Sequence, residues 1–382
     1  MKVTVSVYGR FWAFNLAQQL QKSDNLHKLI STYPSFAIKK YGIERNLIHS
    51  IWHLEILSRS WYRLPNWLRR DKDLQLWFLE QFDDQVTKYI QPDFDIFVGW
   101  SGANFRSLQR AKGMGIKTIV ERGSSHMRYQ TEILKQEYEK WGLKFTATHS
   151  GIYEREILSY DEADKIAIPS FFVKRSFLEQ GVPEDKLIHI PYGTSLSEFY
   201  PEKKNDNIFR IIHCGSISIR KGIQYLLQAF YELNLPNAQL WLVGTLAPEI
   251  ESFLNKYQSK NIILKGKYPQ NQLRFLYSQC SVFCLASIED GFGMVIPQAM
   301  ACGLPIIHTT NTGGEDIVRE GIDGFCISIR DVNALKDKIT FLFENQDERE
   351  KMGANALKRA RQSLSWEQYG KKMINAYHDL VK

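Results

Sequence analysis

The stretch SIEDGFGMVIPQAMACGLP, residues 287–305, combines residue types that suit a sugar linked to phosphate. Its two acids, Glu289 and Asp290, can accept hydrogen bonds from sugar hydroxyls. A Gly-Phe-Gly turn follows them, and residues 294–302 then have helical spacing. Free N–H groups and the helix dipole make such a helix start suitable for a phosphate. The stretch is therefore predicted to be a strand-to-helix turn that binds a phosphorylated ligand beside carboxylates.

A second candidate for phosphate binding is the run CGSISIRKGI. Gly215 and Ser216 follow a predicted strand, and Arg220 and Lys221 directly precede a glycine and a predicted helix. Two cations and several N–H groups at one helix start suit a diphosphate. The alternative is that both cations are merely solvated there. Because the run has neither the GxxxxGK[ST] nor the GxGxxG pattern, it is a weak indication when taken alone.

The first half offers the run VERGSSHMRYQ, in which a predicted strand is followed by a Gly-Ser-Ser turn and His126. Loops after parallel strands are where α/β sheets bind ligands. By their location, Arg122, Ser124 and Ser125 could help to position an acceptor or a phosphate, whereas a purely structural histidine is the alternative for His126. Other histidines lie within helix or strand patterns, where packing is expected: His149, His213 and His308.

The elements that must position these residues alternate along the chain as short apolar strands and amphipathic helices. This is the pattern of parallel sheets built from βαβ units. Strands are predicted at residues 3–7, 28–32, 96–99, 117–121, 165–169, 187–191, 209–214, 239–243, 262–265, 282–286, 305–308 and 325–329. Helices are predicted at residues 14–21, 76–90 and 170–180 among others, and a closing helix at residues 365–382, with Ser365 as its N-cap.

The length of 382 residues predicts two domains. The run PEKKNDN, residues 201–207, contains no apolar residue and separates two alternating series, so we expect it to be the linker. The first domain is predicted at residues 1–200, joined by the closing helix at 365–382, and the second at residues 208–364.

The composition is that of an ordinary globular protein, with a modest net charge of +7. This charge weakly favours anionic partners such as nucleotide sugars or acidic lipid surfaces, and it does not indicate a nucleic-acid binder. No apolar run approaches the roughly 20 residues of a membrane span, and MKVTVSVYG has the pattern of a buried strand, so a cytoplasmic location is expected. The five cysteines match no zinc or disulfide spacing and are expected to be buried.

Residues 41–78 differ from the rest, because they mix tryptophans with arginines and show little strand pattern. One interpretation is an irregular helical insertion whose aromatic residues pack on the first domain. The other is a patch that lies on an anionic bilayer, which would place the protein on the inner membrane face. The residues concerned are Trp52, Arg59, Trp61, Tyr62, Arg63, Trp67, Arg69, Arg70 and Trp77.

The sequence also contains a DxD pattern, Asp93-Phe94-Asp95, whose two carboxylates could hold a divalent cation. Here it lies in a Pro-Asp turn directly before a predicted strand, and no further acids cluster with it in the sequence. We therefore predict no metal site.

Taken together, the ordered motifs from about residue 164 to residue 369 resemble the family 4 retaining glycosyltransferases. The resemblance is carried by ADKIAIPS, IPYGTSLSEFYP, GSISIRKG, GKYPQNQLRFLYSQCSVFCLAS, EDGFGMVIPQAMACGLPII and TTNTGGEDI. It implies the GT-B fold, in which two Rossmann-like domains with parallel sheets face each other and a C-terminal helix crosses back to the first domain. It also implies a nucleoside diphosphate sugar as co-substrate and no other cofactor.

In that family, the acid before the Gly-Phe-Gly turn holds the donor sugar. The resemblance therefore assigns this role to Asp290 and leaves Glu289 as an unassigned neighbour. The backbone around Gly291, Phe292, Gly293 and Met294 would face the diphosphate. Eight residues after Asp290 the family usually has a glutamate that binds the ribose, but this chain has Gln298, which indicates altered donor preference.

The resemblance also bears on the other candidate loops. Lys221 keeps the family's lysine, while Ser216 replaces an arginine, for which Arg220 can compensate. The contacts around Gly266 and Lys267 would identify the nucleotide. His126 is matched to a histidine near the donor sugar's hydroxymethyl group. In the run GRFWAF, Gly9, Arg10 and Trp12 are expected on the acceptor side, together with Arg122.

The resemblance thus predicts a retaining, metal-independent glycosyltransferase of polysaccharide or glycolipid synthesis. His126, Lys221 and Asp290 would be its catalytic residues. The acceptor could be a glycan, a lipid or a small molecule. Two alternatives remain: a non-catalytic protein that binds nucleotide sugars, and another GT-B activity such as a phosphorylase or a sugar-nucleotide epimerase.

Overall fold

The computed structural model describes residues 1–69 and 74–382, and within them the strands form two sheets in which neighbouring strands run parallel. The first sheet has the order β3-β2-β1-β4-β5-β6-β7, and the second has the order β10-β9-β8-β11-β12-β13. The strands are β1 (Val3–Val7), β2 (Leu26–Ser31), β3 (Ile48–Ser50), β4 (Ile96–Trp100), β5 (Lys117–Glu121), β6 (Lys165–Ile168), β7 (Leu187–His189), β8 (Phe209–Cys214), β9 (Ala238–Val243), β10 (Ile262–Gly266), β11 (Val282–Leu285), β12 (Ile306–Thr309) and β13 (Gly324–Ile327).

Helices pack on these sheets, and so the central strands are buried along their whole length. In β1, for example, all five residues of VTVSV are buried, which is typical of parallel sheets with both faces covered. The helices are α1 (Ala13–Lys22), α2 (Ser35–Lys39), α3 (Trp52–Arg63), α4 (Asn66–Arg69), α5 (Gln75–Lys88), α6 (Phe105–Gly113), α7 (Met127–Lys140), α8 (Ser150–Glu162), α9 (Phe171–Leu178), α10 (Ile223–Leu233), α11 (Glu251–Lys256), α12 (Leu273–Ser278), α13 (Val295–Ala301), α14 (Gly314–Ile317), α15 (Val332–Glu344), α16 (Gln346–Ser363) and α17 (Trp366–Val381).

The closing helix α17 leaves the second sheet and packs on α1, beside the first sheet. Its N-cap is Ser365, whose hydroxyl accepts a hydrogen bond from the Gln368 N–H at 3.2 Å. Gly370 lies so close to α1 that a Cβ there would be 2.4 Å from the Cβ of Gln19. The predicted α/β architecture, with two parallel sheets and a crossing C-terminal helix, is confirmed.

Residues 41–78 differ from the prediction in one respect. They contain a short strand, β3, which pairs with β2 and extends the first sheet at its edge. Its three residues, IHS, are all half-buried and show no alternation of apolar and polar residues, so little strand pattern is visible there in the sequence. Arg70 lies outside the described residues. No helix among the described residues combines the length and the apolar character that a membrane span requires.

Both sheets reverse their strand order around a central strand, at β1 in the first sheet and at β8 in the second. Ligands of open α/β sheets bind outside the carboxyl ends of the strands at such a point. The loops that follow β1, β5, β8 and β11 are the ones in which the sequence analysis placed its candidate residues. The fold therefore brings these loops to one cleft between the two sheets.

Candidate functional site

Two loops of the second sheet form one wall of the cleft. We call residues 219–222, after β8, the cationic turn, and residues 289–294, after β11, the acidic turn. Gly222 has φ +66°, and a Cβ there would lie 1.8 Å from the carbonyl oxygen of Ala286, so only glycine allows this approach. The Ile288 N–H also donates to the Arg220 carbonyl at 2.9 Å. The backbone thus places the two cations directly beside the two acids.

Lys221 and Asp290 form an ion pair across these turns, with the lysine Nζ on the Asp290 Oδ2. The second carboxylate oxygen, Oδ1, accepts a hydrogen bond from the Gly293 N–H at 3.1 Å. Gly293 itself has φ +72°, a conformation that favours glycine. Asp290 therefore fixes the shape of the acidic turn while its carboxylate stays at the edge of the cleft, with 17% of the side chain exposed.

Glu289 and Arg220 form the neighbouring pair, but this carboxylate is completely buried. Its Oε2 lies 2.6 Å from an Arg220 nitrogen, and its Oε1 accepts hydrogen bonds from the N–H (3.0 Å) and the hydroxyl (2.8 Å) of Ser125. Gln130 adds another hydrogen bond at 3.0 Å. Burial alone would raise the pKa of Glu289, but the Arg220 charge and these hydrogen bonds hold it at about 2.

These contacts show that Glu289 connects the two sides of the cleft. Ser125 and Gln130 belong to the first sheet's side of the cleft, whereas Arg220 belongs to the second sheet's side. Both carboxylate oxygens have partners and the side chain is buried, so Glu289 joins the two walls, and its predicted contact with a donor sugar stays a prediction.

Three neighbouring strands of the second sheet have a glycine at their carboxyl end: Gly215 follows β8, Gly244 follows β9, and Gly266 ends β10. The Gly244 N–H donates to the Gly266 carbonyl at 2.9 Å, and a Cβ on Gly244 would lie 1.6 Å from the Gly215 carbonyl oxygen. Of the other predicted residues here, the Ser216 hydroxyl shares a 2.8 Å hydrogen bond with the Ser218 hydroxyl, and Lys267 is exposed. The sequence analysis named Gly215 and Gly266 but missed Gly244, which separates them.

The remaining predicted positions of the second wall lie around α13. Phe292 is buried, and its ring packs on Tyr192 with the ring centres 5.2 Å apart. Gln298 lies on α13, is 7% exposed, and its Oε1 is 3.5 Å from the Tyr277 hydroxyl. Met294 is the N-cap of this helix.

His126 does not face the cleft. It is the N-cap of α7, where its Nδ1 accepts the Arg128 N–H at 3.3 Å, and its ring packs between Tyr160 and Phe177 at centre distances of 5.0 and 4.9 Å. Burial, with help from the Arg122 and Arg128 charges, lowers the pKa of His126 to about 4. Only 3% of the residue is exposed, and the predicted role of His126 toward the donor sugar stays a prediction. His149, expected to be packed, is instead an exposed N-cap of α8.

The first sheet's side of the cleft contains a pocket of about 290 Å³, which we call the aromatic pocket. Aromatic side chains form much of its wall, and polar groups from the loops after β4 and β5 complete it. Its lining includes Tyr8, Phe11, Trp12, Trp100, Glu121 and Arg122. Such a mixture of aromatic faces and few polar groups is typical of sites for small uncharged ligands.

The predicted residues after β1 and β5 divide into two sets. Trp12 and Arg122 line the aromatic pocket, but the Arg122 guanidinium is already bound to Glu156 at 3.0 Å and to the Ser125 carbonyl. Arg10 is exposed and turned to the hydroxyl and ring of Tyr41. Gly9 has φ +94° and donates its N–H to Thr32 at 3.1 Å, so its role is to shape the turn.

Glu121, the last residue of β5, was missed by the sequence analysis. It lies at the pocket with 1% exposure, and its Oε2 accepts a hydrogen bond from the Trp12 indole at 2.9 Å. Burial raises the pKa of Glu121 to about 8 despite this hydrogen bond. The sequence did contain a signal for Glu121, namely a charged residue at the end of a buried strand. β5 ends at Glu121, and a candidate loop follows directly.

The two walls touch where their backbones meet. A Cβ on Gly291 would lie 2.0 Å from the Gly123 carbonyl oxygen, and the Ser170 hydroxyl donates to the Gly291 carbonyl at 2.5 Å. Further from the centre, Asp316 accepts hydrogen bonds from the His189 ring at 2.7 Å and from the Phe171 N–H at 3.0 Å. The acidic turn is therefore held against the loops after β5 and β6.

Both acids of the DxD pattern contact residues near the start of the chain. Asp95 accepts a hydrogen bond from the Lys2 N–H at 2.6 Å, and Asp93 lies 3.5 Å from the His27 ring. Within residues 1–69 and 74–382, no group of three or more His, Cys, Asp or Glu side chains is arranged to hold a metal ion.

Comparison with known sequences gives a consistent picture for the second half of the chain. Residues 197–359 match the model of the family described as glycosyl transferases group 1. An uncharacterized glycosyltransferase of Methanocaldococcus jannaschii is 29% identical over 57% of this chain and 60% of its own length. The capsular polysaccharide biosynthesis glycosyltransferase CapM of Staphylococcus aureus is 28% identical over 59% of this chain and 64% of its own length. The aligned part of the chain thus spans less than two thirds of the length of each of these relatives.

Comparison with solved structures extends the similarity to both sheets. A sucrose-phosphate synthase from Thermosynechococcus elongatus superposes with a TM-score of 0.72 at 18% identity, covering 100% of this chain and 99% of that one. Anabaena Alr3699/HepE in complex with UDP-glucose gives a TM-score of 0.70 at 14% identity, covering 99% of this chain and 100% of that one. The chain has the GT-B fold, and its residues 197–359 match the model of the glycosyl transferases group 1 family.

Proposed function

We propose that the protein transfers a sugar from a nucleoside diphosphate sugar to an acceptor hydroxyl, with retention at the anomeric carbon and without a metal ion. The observation that carries this proposal is the meeting of Arg220 and Lys221 with Glu289 and Asp290 at two glycine-shaped turns in the cleft. Cations already paired with carboxylates can exchange them for phosphate oxygens, which favours a diphosphate ligand.

In this mechanism, Lys221 and Arg220 stabilise the charge that develops on the departing diphosphate. Lys221 leaves Asp290 for the phosphate, and the freed Asp290 carboxylate accepts hydrogen bonds from the sugar. The side chain of Asp290 stays oriented because its Oδ1 remains bonded to the Gly293 N–H. The departing phosphate takes the acceptor proton on the same face of the sugar, so that the configuration is retained.

The acceptor would enter from the aromatic pocket. Its polar and aromatic lining suits the hydroxyls and the apolar faces of a sugar ring or a similar polyol. The pocket adjoins the acidic turn, because Gly123 lines it and also contacts Gly291. The acceptor hydroxyl and the donor sugar would therefore meet at this contact.

We also propose that residues 1–200 and 208–364 act as two domains that close over the donor. The connections between them run side by side, since the Thr194 N–H donates to the Leu364 carbonyl at 2.7 Å. This pair of connections, together with residues 201–207, is a suitable hinge.

The test is incubation of the protein with UDP-, GDP- and ADP-sugars in EDTA, with nucleotide release followed in the presence of cell-extract acceptors. UDP-glucose is the first donor to try, because HepE, which has the same fold, binds it. We expect release from one donor class and a product with the donor's anomeric configuration by NMR. Donor binding without transfer or slow hydrolysis would indicate a non-catalytic binding protein instead. A requirement for phosphate or a free monosaccharide would indicate a phosphorylase or an epimerase.

We propose further that α3 and α4 contact the cytoplasmic face of an anionic membrane. Their outer surface exposes Trp52 (52%), Leu57 (51%) and Trp67 (76%), while Arg63 is an exposed cation among them. The hydroxyl of Tyr8, a residue of the aromatic pocket, is hydrogen-bonded to Ser58 of α3. A lipid-linked acceptor at the membrane would therefore lie close to the pocket.

Sedimentation with anionic and with neutral vesicles tests this contact. We expect binding to anionic vesicles, weakened at least about 3-fold in Leu57→Ser because an apolar contact is lost. The matched control is Leu158→Ser on α8, which is similarly exposed at 46% and should bind like the wild type. Equal, negligible binding to both vesicle types would end the membrane proposal.

A further inference from the structure

Glu121 is a buried acid that the mechanism above does not use. Its Oε2 is bonded to the Trp12 indole, but its Oε1 is buried and has no hydrogen-bond partner among the described residues. Buried polar atoms without partners are rare and require an explanation. Because Glu121 also ends a central strand at the aromatic pocket, it is a candidate for a functional role.

Other polar atoms without partners surround this carboxyl group. They come from the end of β4, from the segment after β7 and from α17, and each is buried without a hydrogen-bond partner in the part of the chain that the structure describes. They are the Trp100 indole nitrogen and the hydroxyls of Tyr192, Tyr369 and Tyr377. The Tyr369 ring packs on Tyr192 with the ring centres 5.8 Å apart, and Tyr192 packs on Trp12, the hydrogen-bond partner of Glu121. Burial and then the charge of Glu121 raise the pKa of Tyr369 and Tyr377.

No cation compensates the Glu121 charge among these neighbours. Arg122 follows it in the chain, but its guanidinium is turned to Glu156, Ser125 and Gln130. Burial therefore dominates and raises the pKa of Glu121 to about 8, so the carboxyl group is neutral at pH 7. A neutral carboxyl can accept the Trp12 hydrogen bond and also donate its own proton to a neighbour.

Trp12 is held by packing as well as by this hydrogen bond. Its ring is 4.4 Å from Tyr192 and 5.3 Å from Trp100, measured between ring centres. It also lies over Gly123, where a Cβ would be 2.3 Å from the indole. The Gly123 carbonyl oxygen in turn lies against Gly291 of the acidic turn, so the position of Trp12 bears on both the aromatic pocket and the acidic turn.

We propose that Glu121 is a positioning residue that fixes the Trp12 indole as the wall between the aromatic pocket and the acidic turn. Naming this wall as the acceptor side rests on the proposed function, but the positioning itself does not. When the carboxyl group ionises, the buried cluster gains an uncompensated charge and loses a donor. The Trp12 wall should then loosen as the pH rises through about 8.

Fluorine NMR tests this without any substrate. The protein is labelled with 5-fluorotryptophan, and Trp12→Phe identifies the Trp12 resonance among the nine tryptophans. In the wild type we expect this resonance to shift in one step with a midpoint near pH 8. In Glu121→Gln, whose amide oxygen still accepts from the indole, the step should disappear. A Trp12 resonance that stays unchanged from pH 6 to 9.5, or the same step in Glu121→Gln, would overturn the proposal.

Thermal unfolding gives a second measurement with the sign fixed in advance. Because the folded pKa of Glu121, about 8, lies above the ordinary value of 4.5, the folded state holds a proton that the unfolded state releases. The wild type should therefore lose Tm relative to Glu121→Gln as the pH rises from about 5 to 8, and the difference should then stay level. A difference that does not vary with pH would contradict a buried neutral Glu121. Neither measurement needs transfer activity, so a failed transferase assay would leave both results readable.

Discussion

The two walls of the cleft differ in how their charged side chains are paired. On the second sheet's wall, Arg220 and Lys221 each face a carboxylate, and these pairs sit on turns whose close approach depends on Gly222. On the first sheet's wall, Arg122 donates four hydrogen bonds to internal partners, and burial raises the pKa of Glu121 at the pocket to about 8. The first wall therefore suits an uncharged ligand with hydroxyls, whereas the second can exchange its internal ion pairs for an anionic ligand. In the proposed function, the cleft would receive a charged donor and a neutral acceptor from opposite sides.

Removing a cation from the second wall is the most direct test of the difference between the two walls. We expect Lys221→Ala to lower turnover at least about 10²-fold, because the lysine would stabilise the leaving diphosphate. Steady-state kinetics with the donor identified by the panel measures this. Lys336→Ala is the matched control, since Lys336 forms a 2.7 Å ion pair with Glu232. Near-native turnover of Lys221→Ala would remove this lysine from the site.

The contact between the walls is tested by Gly291→Ala. The added methyl group would lie 2.0 Å from the Gly123 carbonyl oxygen, and since both partners are backbone, the walls must separate. We expect about a 10-fold or larger loss of turnover and a larger radius of gyration in small-angle X-ray scattering. Gly113→Ala is the control, because a Cβ there meets no atom within 4 Å. An unchanged radius together with unchanged turnover would show that the contact is unimportant.

Glu289→Gln weakens the bond between the walls while keeping the side chain's shape. We expect it to reduce the free energy of unfolding by about 2 kcal/mol at pH 7, because hydrogen bonds to a buried charge are lost. The folded pKa of Glu289, about 2, lies below the ordinary value of 4.5, so this contribution is present above pH 4.5 and is lost as the pH falls toward 2. Denaturant unfolding at pH 7 and pH 3 measures it. A stability difference that is constant between these values would contradict the assigned charge.

The smallest effect is expected for Gln298→Glu, which restores the acid that the related family usually has. The residue is 7% exposed and lies beside Tyr277, so the fold should tolerate the change. We expect a change of about 3-fold in the KM ratio between two donors, since only a hydrogen-bond acceptor is altered. The donor panel measures that ratio, and no change in it would remove Gln298 from donor selection.

The same two walls differ in how far the sequence predicts them. The second wall follows from local signals, because its glycines, cations and acids lie in two short runs after apolar strands. Every predicted strand is present with ends within two residues of the observed ones. Among the strands in residues 1–69 and 74–382, only β3 was not predicted, because three half-buried residues give no periodicity.

The first wall depends on contacts between distant segments. Glu121 and Trp12 are 109 positions apart, so the sequence does not reveal that the carboxyl group of Glu121 is buried against the Trp12 indole. The sequence does not show that Glu289 is buried, because its partner Ser125 is 164 positions away. His126 was expected in the cleft because its loop is there, but its side chain turns inward as a helix cap. Loop position was predictable, whereas side-chain direction and protonation were not.

The crossing helix α17 has a consequence for how the protein is made. α17 packs against α1, but it follows the whole second sheet in the sequence, so it leaves the ribosome after every strand of both sheets. Until then, the face of α1 around Gln19 is uncovered, although that residue is only 6% exposed in the finished structure. The half that is synthesised first is thus the half that is completed last.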